Sequence, residues 1–191
     1  EGTCADPRAI AEAIPGALAM ARTAFFDWML ATGERDRARV GLLLRANFDA
    51  DDDGTRSAVR SLIGGIYTYL QDAQNGDITF VCAPAGDSEC SGRQGYVLDN
   101  ERRRIHVCPS FFGLTLEGRR WMLVHECAHL AGATRLPEVY WSFFGAIGEA
   151  ECRQTISGTA REKLGNADNY ARFIWCLTRR AGIEVTPVEG D

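Results

Sequence analysis

The chain holds only three histidines in 191 residues, and two of them, His125 and His129, stand four apart with Glu126 beside the first in LVHECAHLAG. Residues four apart share one face of a helix, so both imidazoles can reach a single metal ion. Glu126 would then lie next to a metal-bound water. Zinc lowers the pKa of such a water to about 7, and a neighbouring carboxylate takes its proton as a carbonyl is attacked. The pattern is that of a zinc-dependent hydrolase with about one zinc per chain. An amphipathic helix that carries these residues by accident is the competing explanation. The scarcity of histidine and the apolar setting of Trp121, Met122, Leu123, Val124 and Leu130 weigh against it.

A catalytic zinc site takes three protein ligands and keeps a fourth position for water. Two carboxylates compete for the third place. Glu138 follows Pro137, nine residues past His129, where the chain can turn back after AGATRL; otherwise it is an acid at a helix start, favourable there. Glu149, in GAIGEAEC, is flanked by Gly148 and Ala150, which permit close approach to the helix of the histidines; otherwise it faces solvent. A second metal is suggested by FDADDDGTRS, where Asp49, Asp51 and Asp53 precede Gly54 as in a calcium loop. The pattern breaks at its twelfth position, Arg60, where a bidentate Glu belongs, so a solvated turn is the preferred reading.

The elements that must position these residues follow from periodicity. A long helix is expected from Pro7 to about Ala31 despite Pro15, closed by a polar turn at TGERDR. A second helix is expected at SAVRSLIGGIYTYLQ, weakened by Gly64 and Gly65. DITFVCAP, QGYVLD and RRIHVCPSFF have the β-branched and aromatic content of strands, predicting a small antiparallel sheet. Helices resume with the motif helix from about Gly118 to Ala131, another from Pro137 to Ile156 and a last one from about Asn166 to Arg179.

With 46% hydrophobic residues, a chain of this length buries one good core, so residues 1–191 are read as a single domain. A net charge of −5 gives no electrostatic reason to expect nucleic acid or an anionic membrane. No apolar run suggests a bilayer span, and the start at Glu1, without an initiator Met or signal peptide, suggests a mature or trimmed product. Of the seven cysteines, Cys127 lies within the motif, about 200° around the helix from His125, and is expected to face the core as a free thiol. The other six permit fifteen connectivities; Cys4–Cys82, Cys90–Cys108 and Cys152–Cys176 are favoured, tying the N-terminus, a hairpin and two late helices. Such bridges imply an oxidising, extracellular compartment.

HVCPSFF, LVHECAH and LGNADNYARF, in that order, resemble the deuterolysin family of zinc endopeptidases, the aspzincins, which include the peptidyl-Lys metalloendopeptidases. The resemblance spans roughly the whole chain. It implies a small, mainly helical α+β zincin-like metallopeptidase, secreted and acting on proteins or peptides, with His125 and His129 as ligands and Glu126 as general base. The family's G-T-x-D-x-x-Y-G is absent; GATRLPEVYW stands there, so Glu138 would replace the ligand Asp and Tyr140 the oxyanion-stabilising Tyr, two residues on rather than three. GAIGEAEC is instead similar to the ligand helix of thermolysin-type gluzincins, which favours Glu149. Asp168 in NADNY matches an acid that lines the pocket for a basic side chain in the Lys-specific members, with capping of the last helix as the alternative. Their second pocket acid falls at Ala171, which leaves strict Lys specificity unsupported.

The reading is therefore a secreted, monomeric zinc endopeptidase. A catalytically weak zinc- or calcium-binding interaction domain, and a toxin domain released from a larger secreted chain, are the alternatives.

Overall fold

The computed structural model describes residues 4, 6–31, 33–133, 152 and 154–179. Among these the helices are α1 (Pro7–Met29), α2 (Glu34–Phe48), α3 (Asp53–Asn75), α4 (Leu116–Leu130), α5 (Ala160–Gly165) and α6 (Ala167–Thr178), and the strands are β1 (Thr79–Cys82), β2 (Gly95–Tyr96) and β3 (Arg104–Val107). The expected α+β class, mainly helical with one small sheet, is what forms.

Helix α1 starts at Asp6, whose side chain accepts from the Arg8 N–H. It buries Ile10, Ala13, Ile14, Ala17, Ala21, Ala24 and Trp28, a stripe of helical period. At 23 residues it is long and apolar enough in composition to cross a membrane, contrary to the expectation from sequence, but this stripe packs it against α3, α4 and α6 as a core helix. Gly16 sits where any Cβ would meet the Arg120 side chain of α4 at 2.1 Å, so α1 passes close beside the motif helix. Helix α3 turns Val59, Ile63, Ile66 and Leu70 inward. Its Gly65, which looked like a weakness, brings it against Ala131 at the end of α4, where an added Cβ would approach the Ala131 Cβ to 2.9 Å.

Helix α2 is absent from the sequence expectation, which took ERDR for a turn. Glu34 and Asp36 lie in its first turn, where carboxylates oppose the helix dipole favourably, and Val40, Leu43, Leu44 and Phe48 form its buried face. The acidic segment after it joins two helices. Asp49, in the left-handed region at φ 68°, ends α2 and pairs with the buried Lys163 at 3.1 Å. Asp51 bridges Arg45 and Arg56, and Asp52 caps α3 by accepting from the Thr55 N–H at 2.8 Å. Asp53 opens α3. The three acids proposed for calcium are thus placed at a helix end, on two arginines and in a first helical turn.

The sheet has the order β1-β3-β2 and is mixed. Strand β2 is antiparallel to β3, as expected, whereas β1 runs parallel to it, pairing Thr79 with Arg104 and Cys82 with Val107. Parallel neighbours need a connection of about a dozen residues or more, which residues 83–103 supply, β2 included. The sequence expectation took the whole sheet as antiparallel; the central strand is the last one, and one of its two neighbours runs parallel to it.

All three favoured disulfides form: Cys4–Cys82 ties the N-terminal end to β1, Cys90–Cys108 closes the turn before β2 onto the end of β3, and Cys152–Cys176 anchors α6. Loop-closure entropy assigns each about 3–4.5 kcal/mol. Cys127 is buried and free, and burial holds its thiol far above the usual value, with the Glu126 charge adding to the shift. The predicted helix from Pro137 to Ile156 lies mostly outside the described residues; Gln154 to Thr159 are not helical. The last helix begins one residue later and ends one residue earlier than expected.

Candidate active site

Helix α4 carries the motif, and both of its ends are fixed by local chemistry. Thr115 caps its start by accepting from the Gly118 N–H at 3.2 Å. At its end Gly132 takes φ 112°, a conformation that disfavours any side chain. The Gly132 N–H donates to the His129 carbonyl at 3.1 Å and the Ala133 N–H to the Ala128 carbonyl at 2.8 Å, the paired bonds of a Schellman turn. That turn curls the chain back, so that the Ala133 carbonyl accepts from His129 Nδ1 at 3.3 Å. Gly132 is the signal in LAGA that sequence reading could have used and did not.

His125 is held from the other direction. Asn166 caps α6 by accepting from the Asp168 N–H at 2.8 Å, which places Asp168 in the first turn of a helix buried along most of its length. The Asp168 carboxylate accepts from His125 Nδ1 at 2.6 Å, with both side chains about nine-tenths enclosed. Asp168 is therefore not the cap of the last helix: it stands behind the first histidine of the motif.

With each Nδ1 proton directed at an oxygen, each Nε2 carries a lone pair, and these two nitrogens face one another 3.1 Å apart. Two lone pairs at that distance repel unless a proton or a metal ion lies between them. Zinc–nitrogen bonds are about 2.0–2.1 Å long, so two nitrogens so spaced can share one ion. The donor set fits zinc, which favours imidazole and is met here by histidines whose far nitrogens are oriented, one of them by a carboxylate. Asp168 faces Nδ1, not Nε2, and so stays outside the coordinating set. Among the described residues no third His, Cys, Asp or Glu completes a cluster. Glu138, Tyr140 and Glu149 lie outside the described residues.

Glu126, 2% exposed, is flanked by β2. A Cβ on Gly95 would lie 3.4 Å from Glu126 Oε1, 2.9 Å from Met122 Sδ and 3.0 Å from the His106 carbonyl, so only glycine lets this edge strand lie so close to the carboxylate. Beyond β2 the chain runs along a cavity of about 540 Å³ that reaches His129 and is lined by Val97, Leu98, Asp99, Arg102, Tyr69 and the end of α4.

A family model described as lysine-specific metallo-endopeptidase, the aspzincins, matches residues 41–174. The chain belongs to that family. The match takes in α4, the β strands and α6 as far as Ile174. Among solved structures it is similar to a zinc peptidase from Grifola frondosa, with a TM-score of 0.63 and 19% identity over 91% of this chain and 96% of that one, which supports the aspzincin fold. No curated protein matches the chain. Membership brings with it a metalloendopeptidase class and a zinc cofactor, and the three disulfides fit an oxidising compartment.

Proposed function

We propose that this aspzincin is a secreted endopeptidase that hydrolyses peptide bonds with zinc held by His125 and His129 through Nε2. The observation that carries this reading is the pair of Nε2 atoms 3.1 Å apart, each left with a lone pair because its Nδ1 is committed elsewhere. A carboxylate completes the set, Glu138 by preference and Glu149 as the alternate. Zinc, when bound, supplies a Lewis acid and a water with a pKa lowered to about 7.

The chain's own groups do the rest. Glu126 Oε accepts the proton of the attacking water and returns it to the leaving amine. Its near-complete burial keeps bulk water from competing for that carboxylate, and Gly95 opposite leaves room beside Oε1. Asp168 and the Ala133 carbonyl fix the tautomer and orientation of the two imidazoles before any ligand arrives, so little reorganisation remains to be done on binding. Tyr140, from its sequence position, is assigned to the developing oxyanion. Residues 1–191 are taken as one catalytic domain acting as a monomer; a core continuous from α1 to α6 supports the first of these.

Glu126→Gln tests the reading. The isosteric amide cannot take a proton, so casein cleavage should fall by about a hundredfold or more while zinc content stays that of the parent. Unchanged cleavage by this variant removes Glu126 from the mechanism.

A further inference from the structure

The cavity beside His129 is bounded on one side by the turn that follows β2, where the sequence reads DNERRR, residues 99–104. Three consecutive arginines in this turn have different fates. Arg103 reaches back to Asp72 of α3 at 3.4 Å, and Arg104 pairs with Glu101 at 3.0 Å. Arg102 has no ion pair among the described residues and lines the cavity instead. Asp99, the one carboxylate among the described residues of that lining, is already engaged in an interaction of its own. Besides His129, the other described residues of the wall are apolar or neutral, chiefly Val97, Leu98, Leu130 and Ala131, with Tyr69 from α3. At about 540 Å³ the space lies within the range of small-ligand pockets, about 300–1,000 Å³, and holds an extended side chain.

We infer that this cavity is a substrate subsite selecting an acidic side chain next to the scissile bond, with Arg102 as the residue that sets the preference. The inference rests on the peptidase reading, because a side chain placed beside His129 belongs to a residue flanking the bond under attack. A guanidinium at a partly apolar wall matches a carboxylate in charge and in planar geometry, and it penalises an ammonium at the same place. A lysine in the same subsite would face Arg102 with no described carboxylate left over to receive it.

The test uses the zinc-loaded enzyme and peptides that differ only in Glu, Gln or Lys at each position flanking the cleaved bond. The expected result is that at one position Glu is preferred over Gln by about fivefold in kcat/KM, carried by KM. Arg102→Gln removes that preference, and Arg102→Glu turns it toward Lys at the same position. A parent enzyme that favours Lys there, or a profile that Arg102→Glu leaves unchanged, overturns the inference. Binding of the same peptides to zinc-loaded Glu126→Gln separates this claim from the one beneath it. If acidic peptides bind selectively through Arg102 but the parent cleaves nothing, the peptidase reading fails and the subsite stands. If binding shows no selectivity, the subsite falls whatever the turnover.

Discussion

The two histidines of the motif are held in opposite ways. His129 is oriented from within its own segment, by a carbonyl four residues on that a glycine-dependent turn brings back over the ring. His125 is oriented by Asp168, which arrives 43 residues later on α6 and is fixed there by an Asn166 cap, by packing against α1, α2 and α4, and by the Cys152–Cys176 bridge. One support is neutral, local and partly exposed; the other is ionic, long-range and buried. A third histidine completes the comparison. His106 on β3 also meets a carboxylate, Glu101, at 2.7 Å, with its side chain about as enclosed as that of His125, but its ring stacks on Tyr96 and no second imidazole faces it among the described residues. A histidine–carboxylate pair, even an enclosed one, is thus not by itself the mark of the proposed site; a second imidazole opposite the other ring nitrogen is.

The comparison predicts unequal consequences. Asp168→Asn, which keeps the shape but removes the charge behind His125, should weaken zinc binding by about 10–100-fold in chelator competition. Should Asp168 instead serve a substrate pocket, the same variant would keep its zinc and lose preference for basic peptides. Gly132→Ala comes next. Its strained φ should cost about 1 kcal/mol of stability, read as a lower Tm, and should loosen the Ala133 carbonyl from His129 with a smaller loss of zinc affinity than at Asp168. An equal or larger loss there would mean that the local support matters more than the buried one.

The smallest effect is expected at Glu101. Its hydrogen bond with His106, helped by Arg104, holds its carboxyl below the usual range. A depressed folded-state pKa stabilises above the unfolded value of about 4.3 and stops doing so as pH falls through the folded value. Glu101→Gln should therefore lower Tm slightly at pH 7, converge with the parent in strong acid and leave zinc affinity untouched. A change in zinc affinity would mean that the Glu101–His106 pair, and not only β2 beside Glu126, acts on the site.

What was legible in the sequence follows the same division between local and long-range causes. The motif, its helix, the free Cys127 and the cysteine pairs rest on spacing and on the chemistry of single residues, and they were readable. Gly132 was readable too, as a glycine just past the last periodic position. Asp168 drew attention only through family resemblance, and its partner was out of reach because nothing near NADNY says that α6 will lie behind α4. Helix α2 was missed because its first turn is charged, which looks like a loop until the inward Val40, Leu43, Leu44 and Phe48 are counted. The parallel pairing of β1 with β3 depends on a crossover that local composition does not encode.

The central claim is that His125 and His129 share one ion through Nε2, and zinc stoichiometry tests it most directly. Purified protein loaded with zinc and dialysed should hold about one ion per chain, and His125→Ala and His129→Ala should each hold almost none while remaining folded by circular dichroism. Folded variants that keep as much zinc as the parent would contradict the account and place the metal elsewhere.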